Sequence, residues 1–297
     1  MKPVQTIRLS VILSIVVLAM KYVAYRLTGS VSLYSDALES VVNVVAAVVA
    51  LVAVRLASMP PDINHPYGHT KAEYFSAVVE GALILFAAAE IVRSAWLRMF
   101  EPVPLTDLDV GLGISLLATA LNAALAVLLV RSGRLQRSPA LVADGRHLLT
   151  DVSTTVGVLV GIGLAGITGW WVLDPILAIV VALNILRVGY RLVRESVGGL
   201  MDESPSDAEM EEIQKTITTH MAGAIEAHAL RARHAGRSSF IEFHLVVSED
   251  VSVGTSHAIC DRIEAALHEH VPGSIVTIHV EPENKAKYQG AVSRLGT

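Results

Sequence analysis

Charge and cysteine are both scarce in this chain of 297 residues. Only 17% of its residues are Asp, Glu, Lys or Arg, against about 25% in an ordinary soluble domain. That shortage excludes a conventional water-facing surface along the whole length. A single cysteine, Cys260, excludes a disulfide framework and any zinc cluster built on thiolates. Positive charge is not in excess either. The formal net charge is −5, without the basic footprint that a nucleic acid partner requires. A His-Glu-x-x-His pair is also missing, so a zinc-activated water with its general base has no motif to stand on. What is abundant is apolar: 53% hydrophobic residues and a mean hydropathy of +0.54.

The deficit of charge is local. Residues 1–200 carry 15 Lys/Arg and 13 Asp/Glu, whereas residues 201–297 carry 8 and 15. Histidine is divided in the same way, with His65, His69 and His147 in the first part and eight in the second. A membrane part is followed by an acidic, histidine-rich soluble part. A bilayer core needs about 20 mostly apolar residues per helix. Six stretches qualify: 7–27, 31–57, 76–97, 109–130, 140–166 and 172–193. Turn chemistry separates them, as at Met59-Pro60-Pro61 and Glu101-Pro102. Lys2, Arg8, Arg55, Lys71, Arg131, Arg134, Arg137, Arg187, Arg191 and Arg194 all fall on one side of such an arrangement. Positive residues gather on the cytoplasmic side, so both termini are expected there. Beyond Pro205 the pattern becomes αββαβ, a small two-layer α+β domain. The expected organisation is a transport domain at 1–200, a cytoplasmic domain at 201–285 and a tail at 286–297.

The informative residues are those that cost energy where they sit. An ionisable side chain at mid-membrane costs roughly 2.5–3.5 kcal/mol and is kept where it faces a cavity or a partner. Span two holds Asp36, Glu39 and Asn43, and span five holds Asp144, His147 and Asp151. Spacings of three and four place each trio on one helical face. Glu39, Asn43, His147 and Asp151 together offer oxygen and imidazole ligands for a first-row divalent ion, with Asp36 as an auxiliary. The competing reading is a structural hydrogen-bond network between the helices. Lys21, Glu80, Asn122 and Asn184 read as packing or cavity groups.

Two more groups are metal-like. Asp62, His65 and His69 fall within eight residues, and Pro66 and Gly68 supply a tight turn between the histidines. In the soluble part His228, His244 and His279 sit on expected strands and His257 near a helix start. Glu281 shares a sheet face with His279, two residues away.

With those residues in place the chain resembles a cation diffusion facilitator over nearly its whole length. The resemblance is carried by Gly29 to Glu39, by His65-Pro-Tyr-Gly-His69-Thr-Lys71-Ala-Glu73, by Asp144-Gly-Arg-His147-Leu-Leu-Thr-Asp151 and by Gly199-Leu-Met-Asp202. It implies a homodimeric exporter of divalent cations in the bilayer, Zn2+ first, driven by returning protons and not an enzyme. A bacterial inner membrane is the implied location, and the metal would be both substrate and regulator. The family's transport site would fall on Glu39, Asn43, His147 and Asp151, and its loop site on Asp62, His65 and His69. Its cytoplasmic, dimer-interface site would fall on His228, His244, His257, His279 and Glu281, and Lys71 and Asp202 match a charge pair. The chain departs from the family in span two, where Glu39 and Asn43 replace the Asp or His, then Asp, usual in zinc carriers. One carboxylate is thereby lost, so Fe2+, Mn2+, Co2+, Ni2+ and Cd2+ stay open. A membrane-anchored metal-sensing scaffold is the alternative of another class; an anchor needs no mid-depth charges.

Overall fold

The computed structural model describes residues 3–28, 31–100, 109–168, 173–287 and 292–294. It divides into two units, Met1–Val197 and Gly198–Thr297.

The first unit is helical. Its helices are α1 (Pro3–Thr28), α2 (Val31–Ala57), α3 (Ala72–Arg98), α4 (Asp109–Leu135), α5 (Pro139–Thr168) and α6 (Leu173–Leu200). Each apolar run from the sequence lies within one of them, except that Val172 of the sixth falls outside the described residues. Several helices run further than the apolar stretch does, and α6 continues through Arg191, Arg194 and Glu195 to Leu200. Three described segments, Pro3–Val23, Ala72–Leu97 and Leu116–Leu135, are long and apolar enough to cross a bilayer.

Two apolar clusters hold the helices. Ile7 of α1, Val54 of α2, Leu125 and Leu129 of α4, and Leu141 and Leu148 of α5 form one. Ala77 and Ile84 of α3, Ala143 of α5, and Ile185 and Leu192 of α6 form the other. Small residues set the closest crossings. A Cβ on Gly145 of α5 would stand 2.9 Å from the backbone nitrogen of Val130 on α4. Lipid supplies no hydrophobic drive between helices, so close backbone approach of this kind carries the packing. α5 belongs to both clusters, and the polar face it presents is therefore fixed from two sides.

The second unit contains α7 (Asp207–His220), β1 (Glu226–Ala235), β2 (Ser238–Val247), α8 (Val253–His270), β3 (Ser274–Pro282), a 3-10 turn at Glu283–Lys285 and β4 (Val292–Arg294). Ser206 caps α7, its hydroxyl accepting from the Glu209 N–H at 3.4 Å. β1 and β2 form an antiparallel hairpin, and β3 lies parallel to β2, which requires the α8 crossover. The sheet order is β3-β2-β1-β4. β4 pairs with β1 in the segment expected to be a tail, so the sheet has one strand more than the αββαβ pattern. Met210, Ile213 and Ile217 of α7 and Ile259, Cys260, Ile263 and Leu267 of α8 share one core with Leu230, Ile241, Phe243 and Leu245 of the sheet. The helices thus cover one face, and alternation sends His244 and Glu242 to the other. A bulge breaks β1 between His228 and Arg231, with Ala229 at a φ of 55°.

Candidate functional site

The polar face of α5 meets α2 in the interior of the first unit. Asn43, His147 and Asp151 are all buried, each at 5% exposure or less. The Asn43 amide bridges the other two. Its Nδ2 donates to Asp151 Oδ2, and its Oδ1 accepts from His147 Nε2 at 2.8 Å. The amide therefore lies between an imidazole and a carboxylate. Glu39 lies one turn before Asn43 on α2. The side chains of Glu39 and Asp36 lie outside the described residues. One turn earlier on α5, Asp144 accepts from Ser10 of α1 at 2.6 Å. Carboxylate, amide oxygen and imidazole are ligands for borderline and hard divalent ions, and thiolate is absent.

The loop before α3 forms a second group. Asp62 Oδ1 accepts from the backbone N–H of Asn64 at 2.9 Å and of His65 at 2.6 Å, an Asx-type turn. Those backbone donors, His65 foremost, hold the Asp62 carboxyl below the ordinary carboxylate range. Gly68 takes a φ of 85°, and its N–H closes the turn onto His65 O at 2.9 Å. That left-handed position folds His69 back, with the two imidazole rings 4.3 Å apart. His69 Nε2 is 3.4 Å from Asp62 Oδ2. Ligand atoms of Asp62, His65 and His69 all lie within 4.8 Å of one another.

The third group lies on the open face of the sheet. Register places His228 opposite His244 and His244 opposite His279, three imidazoles in one row across β1, β2 and β3. Neighbouring rings are 5.2 and 5.0 Å apart. Glu281 joins the row, with Oε2 3.2 Å from His228 Nε2 and Oε1 3.1 Å from His244 Nδ1. His279 Nε2 is further, at 3.8 Å. His228, His244 and Glu281 bring ligand atoms within 4.8 Å of one another. This chain does not bring His257 to them. It sits at the start of α8 with 75% of its side chain exposed, and its Nε2 is 3.6 Å from Asp261.

Sequence reasoning missed Glu226. This buried carboxylate faces His228 Nδ1 at 3.1 Å and accepts the Lys287 backbone N–H at 2.6 Å. With Nδ1–H turned to Glu226, the Nε2 lone pair of His228 is directed at Glu281, the tautomer a metal needs. The signal was present: Glu226 precedes His228 by two on one strand, the spacing that joins His279 to Glu281. Asp202, expected beside Lys71, accepts from Arg233 Nη1 at 3.1 Å within its own unit.

This arrangement has relatives. The family described as the cation efflux transmembrane domain matches residues 7–201, and the cation efflux protein cytoplasmic domain matches residues 205–283. The chain belongs to the cation diffusion facilitator family. An uncharacterized transporter of Synechocystis sp. is 44% identical over 274 residues, covering 92% of this chain and 88% of that one. The cation-efflux pump FieF of Salmonella newport is 31% identical over 265 residues, covering 89% of this chain and 88% of the pump. A solved structure of CzrB in its zinc form is 45% identical over 29% of this chain and 98% of the other, at a TM-score of 0.28. This facilitator is accordingly an integral membrane protein for divalent cation efflux and not an enzyme, with a cytoplasmic domain of the dimerising kind.

Proposed function

We propose that this facilitator is a homodimeric antiporter that carries a divalent cation, Zn2+ before others, out of the cytoplasm against inward protons. Six membrane crossings with both termini cytoplasmic complete the arrangement. The observation that supports it above the rest is the buried contact of Asn43 with both His147 and Asp151. An anchor for a sensing domain has no use for such groups at depth, which disfavours the scaffold reading.

The chemistry follows from what these side chains must do to hold an ion. His147 has to present a lone pair, Asp151 and Glu39 have to be ionised, and Asn43 has to release Asp151. Binding from the cytoplasm therefore excludes protons from the ligands, and return of protons on the far side displaces the ion. Helices packed around a fixed site alternate its access. The amide at position 43 leaves two carboxylates for a 2+ charge, so an oxygen-preferring ion such as Mn2+ or Fe2+ is the second reading. In the soluble unit His228, His244 and Glu281 match zinc-type nitrogen and oxygen ligation. Exposed His257 is free to approach that cluster from a second copy. Metal held there would tighten the dimer and bias transport, and the loop group of Asp62, His65 and His69 would bind ions on entry. Lys71 and Asp202 would tie the halves of the dimer.

Metal-driven proton flux in proteoliposomes tests the reading across Zn2+, Fe2+, Mn2+, Co2+, Ni2+ and Cd2+, with Asp151→Ala beside the parent. The expected result is flux with at least one ion and its loss in the variant. Equal pumping by parent and variant would sink the assigned site.

A further inference from the structure

The helical unit has a second polar feature that the transport chemistry does not use. Between α4, α5 and α6 lies a cavity of about 390 Å³ onto which four arginines converge: Arg134, Arg146, Arg187 and Arg191. Arg146 has a partner, donating to Glu195 Oε2 at 2.9 Å. Arg134, Arg187 and Arg191 have no carboxylate partner among the described residues. Asn184, Arg187 and Arg191 follow at i, i+3 and i+7, so one face of α6 delivers them. Three exposed guanidiniums grouped on one recess, with no carboxylate partner among the described residues, make it attractive to an anion, and their planar forks suit phosphate oxygens.

The walls say which anion. The lining also carries aliphatic side chains, Val130 of α4, Leu149 of α5 and Ile185 and Val188 of α6. Beside the recess α6 exposes Leu183 at 58% and Tyr190 at 65%, as a surface turned to lipid does. A soluble anion would gain nothing from those walls, whereas an amphiphile uses both parts. We propose that the cavity between α4, α5 and α6 is a binding site for the phosphodiester headgroup of an anionic phospholipid. The arginines hold the phosphate and the aliphatic wall receives the first part of the acyl chains. Basic recesses between membrane helices bind such headgroups. The site is separate from the Asn43–His147–Asp151 constellation, and its test does not involve transport.

The test uses the full chain in neutral detergent micelles doped with phosphatidylglycerol, phosphatidylcholine or, in a third arm, millimolar inorganic phosphate. Thermal unfolding is followed for the parent, for Arg187→Gln/Arg191→Gln, and for Arg131→Gln. Arg131 is a basic residue of α4 that does not line the cavity. Phosphatidylglycerol is expected to raise the parent midpoint by about 5 °C and phosphatidylcholine to leave it unmoved. The double variant loses most of the rise and Arg131→Gln keeps it. Should the double variant fail to fold, Arg134→Gln is read in its place and is expected to lose part of the rise. An equal rise with phosphatidylcholine, an equal loss in Arg131→Gln, or reproduction of the rise by inorganic phosphate would each overturn the lipid assignment.

Discussion

The membrane unit and the soluble unit each gather imidazole and carboxylate, but they leave them in different states. Asn43, His147 and Asp151 satisfy one another, so an ion bound at the proposed site would first have to undo hydrogen bonds made inside the protein. In the sheet, His228, His244 and Glu281 point at a common space, and Glu226 already fixes the His228 tautomer from behind. A site that must give its ion up is well served by internal partners that take over when the ion leaves. A site that must keep one is better served by ligands that already converge, as Glu281 does on His228 and His244 at 3.2 and 3.1 Å. Under the proposed function the first group would serve a carrier and the second a resident regulator.

The sharpest way to break that comparison is to delete one imidazole from each unit. His147→Ala removes a ligand and leaves the buried Asn43 and Asp151 without it. Transport in proteoliposomes is expected to fall by about 100-fold or more, the scale of breaking a buried polar network. His244→Ala is expected to preserve transport at saturating metal and to lower the number of ions bound per chain, read by equilibrium dialysis. If His244→Ala stops transport as completely as His147→Ala, the assignment of separate roles fails.

A smaller effect sharpens the account of the sheet. Glu226→Gln keeps the size of the side chain but weakens its hold on the His228 Nδ1 proton. Loss of such a supporting carboxylate lowers metal affinity by about 10-fold. Competition with a chromophoric chelator measures the change, and the transport rate at saturating metal stays at the parent value. Unchanged affinity would reduce Glu226 to a structural anchor for Lys287.

The two units also differ in how far their sequences can be read. The apolar runs mark the helices because about 20 lipid-facing residues leave little room for ambiguity. Their ends are less legible, since hydropathy stops with the lipid while backbone hydrogen bonding does not. That is why α3 begins at Ala72 and α6 reaches Leu200. The meeting of Asn43 with His147 and Asp151 was legible because helical spacing is local. In the sheet, alternation identifies the face of each histidine but not which residues stand opposite one another. The row His228–His244–His279 depends on register: the turn between β1 and β2 sets the first pair, whereas β3 reaches β2 only across α8, where packing decides. β4, with three residues, is too short to carry a pattern of its own. The same applies to the fold as a whole: architecture is periodic and readable, whereas convergence of ligands is a tertiary fact.

The bulge in β1 is one such unreadable feature. Ala229 at a φ of 55° sits between His228, on the open face, and Leu230, in the core. The extra residue lets both keep their sides. A left-handed alanine costs roughly 1 kcal/mol that glycine does not. Ala229→Gly is therefore expected to stabilise the soluble unit by about that much, offset partly by greater freedom in the unfolded chain. A rise of a few degrees in its unfolding midpoint, with the same number of ions bound, is the expected outcome. A fall would show that the methyl group of Ala229 contributes packing that outweighs the strain.

The loop tests the comparison with the least energy, because its Asp62 carboxyl is half exposed and its order is local. Hydrogen bonds from the His65 and Asn64 amides hold its pKa below the ordinary carboxylate value of 3.8. For a carboxylate depressed in this way the stabilisation is fully present above 3.8 and is lost as pH falls through the lower folded value. Protection of the His65 amide from hydrogen exchange should accordingly persist at pH 4 without metal, and vanish only in more acidic solution. Asp62→Asn keeps an acceptor oxygen but not the charge, so its His65 amide should exchange faster than the parent's at pH 5 and show no transition below pH 4. Equal exchange of the His65 amide in parent and Asp62→Asn at pH 5 would mean that the Asp62 turn does not hold the loop in shape.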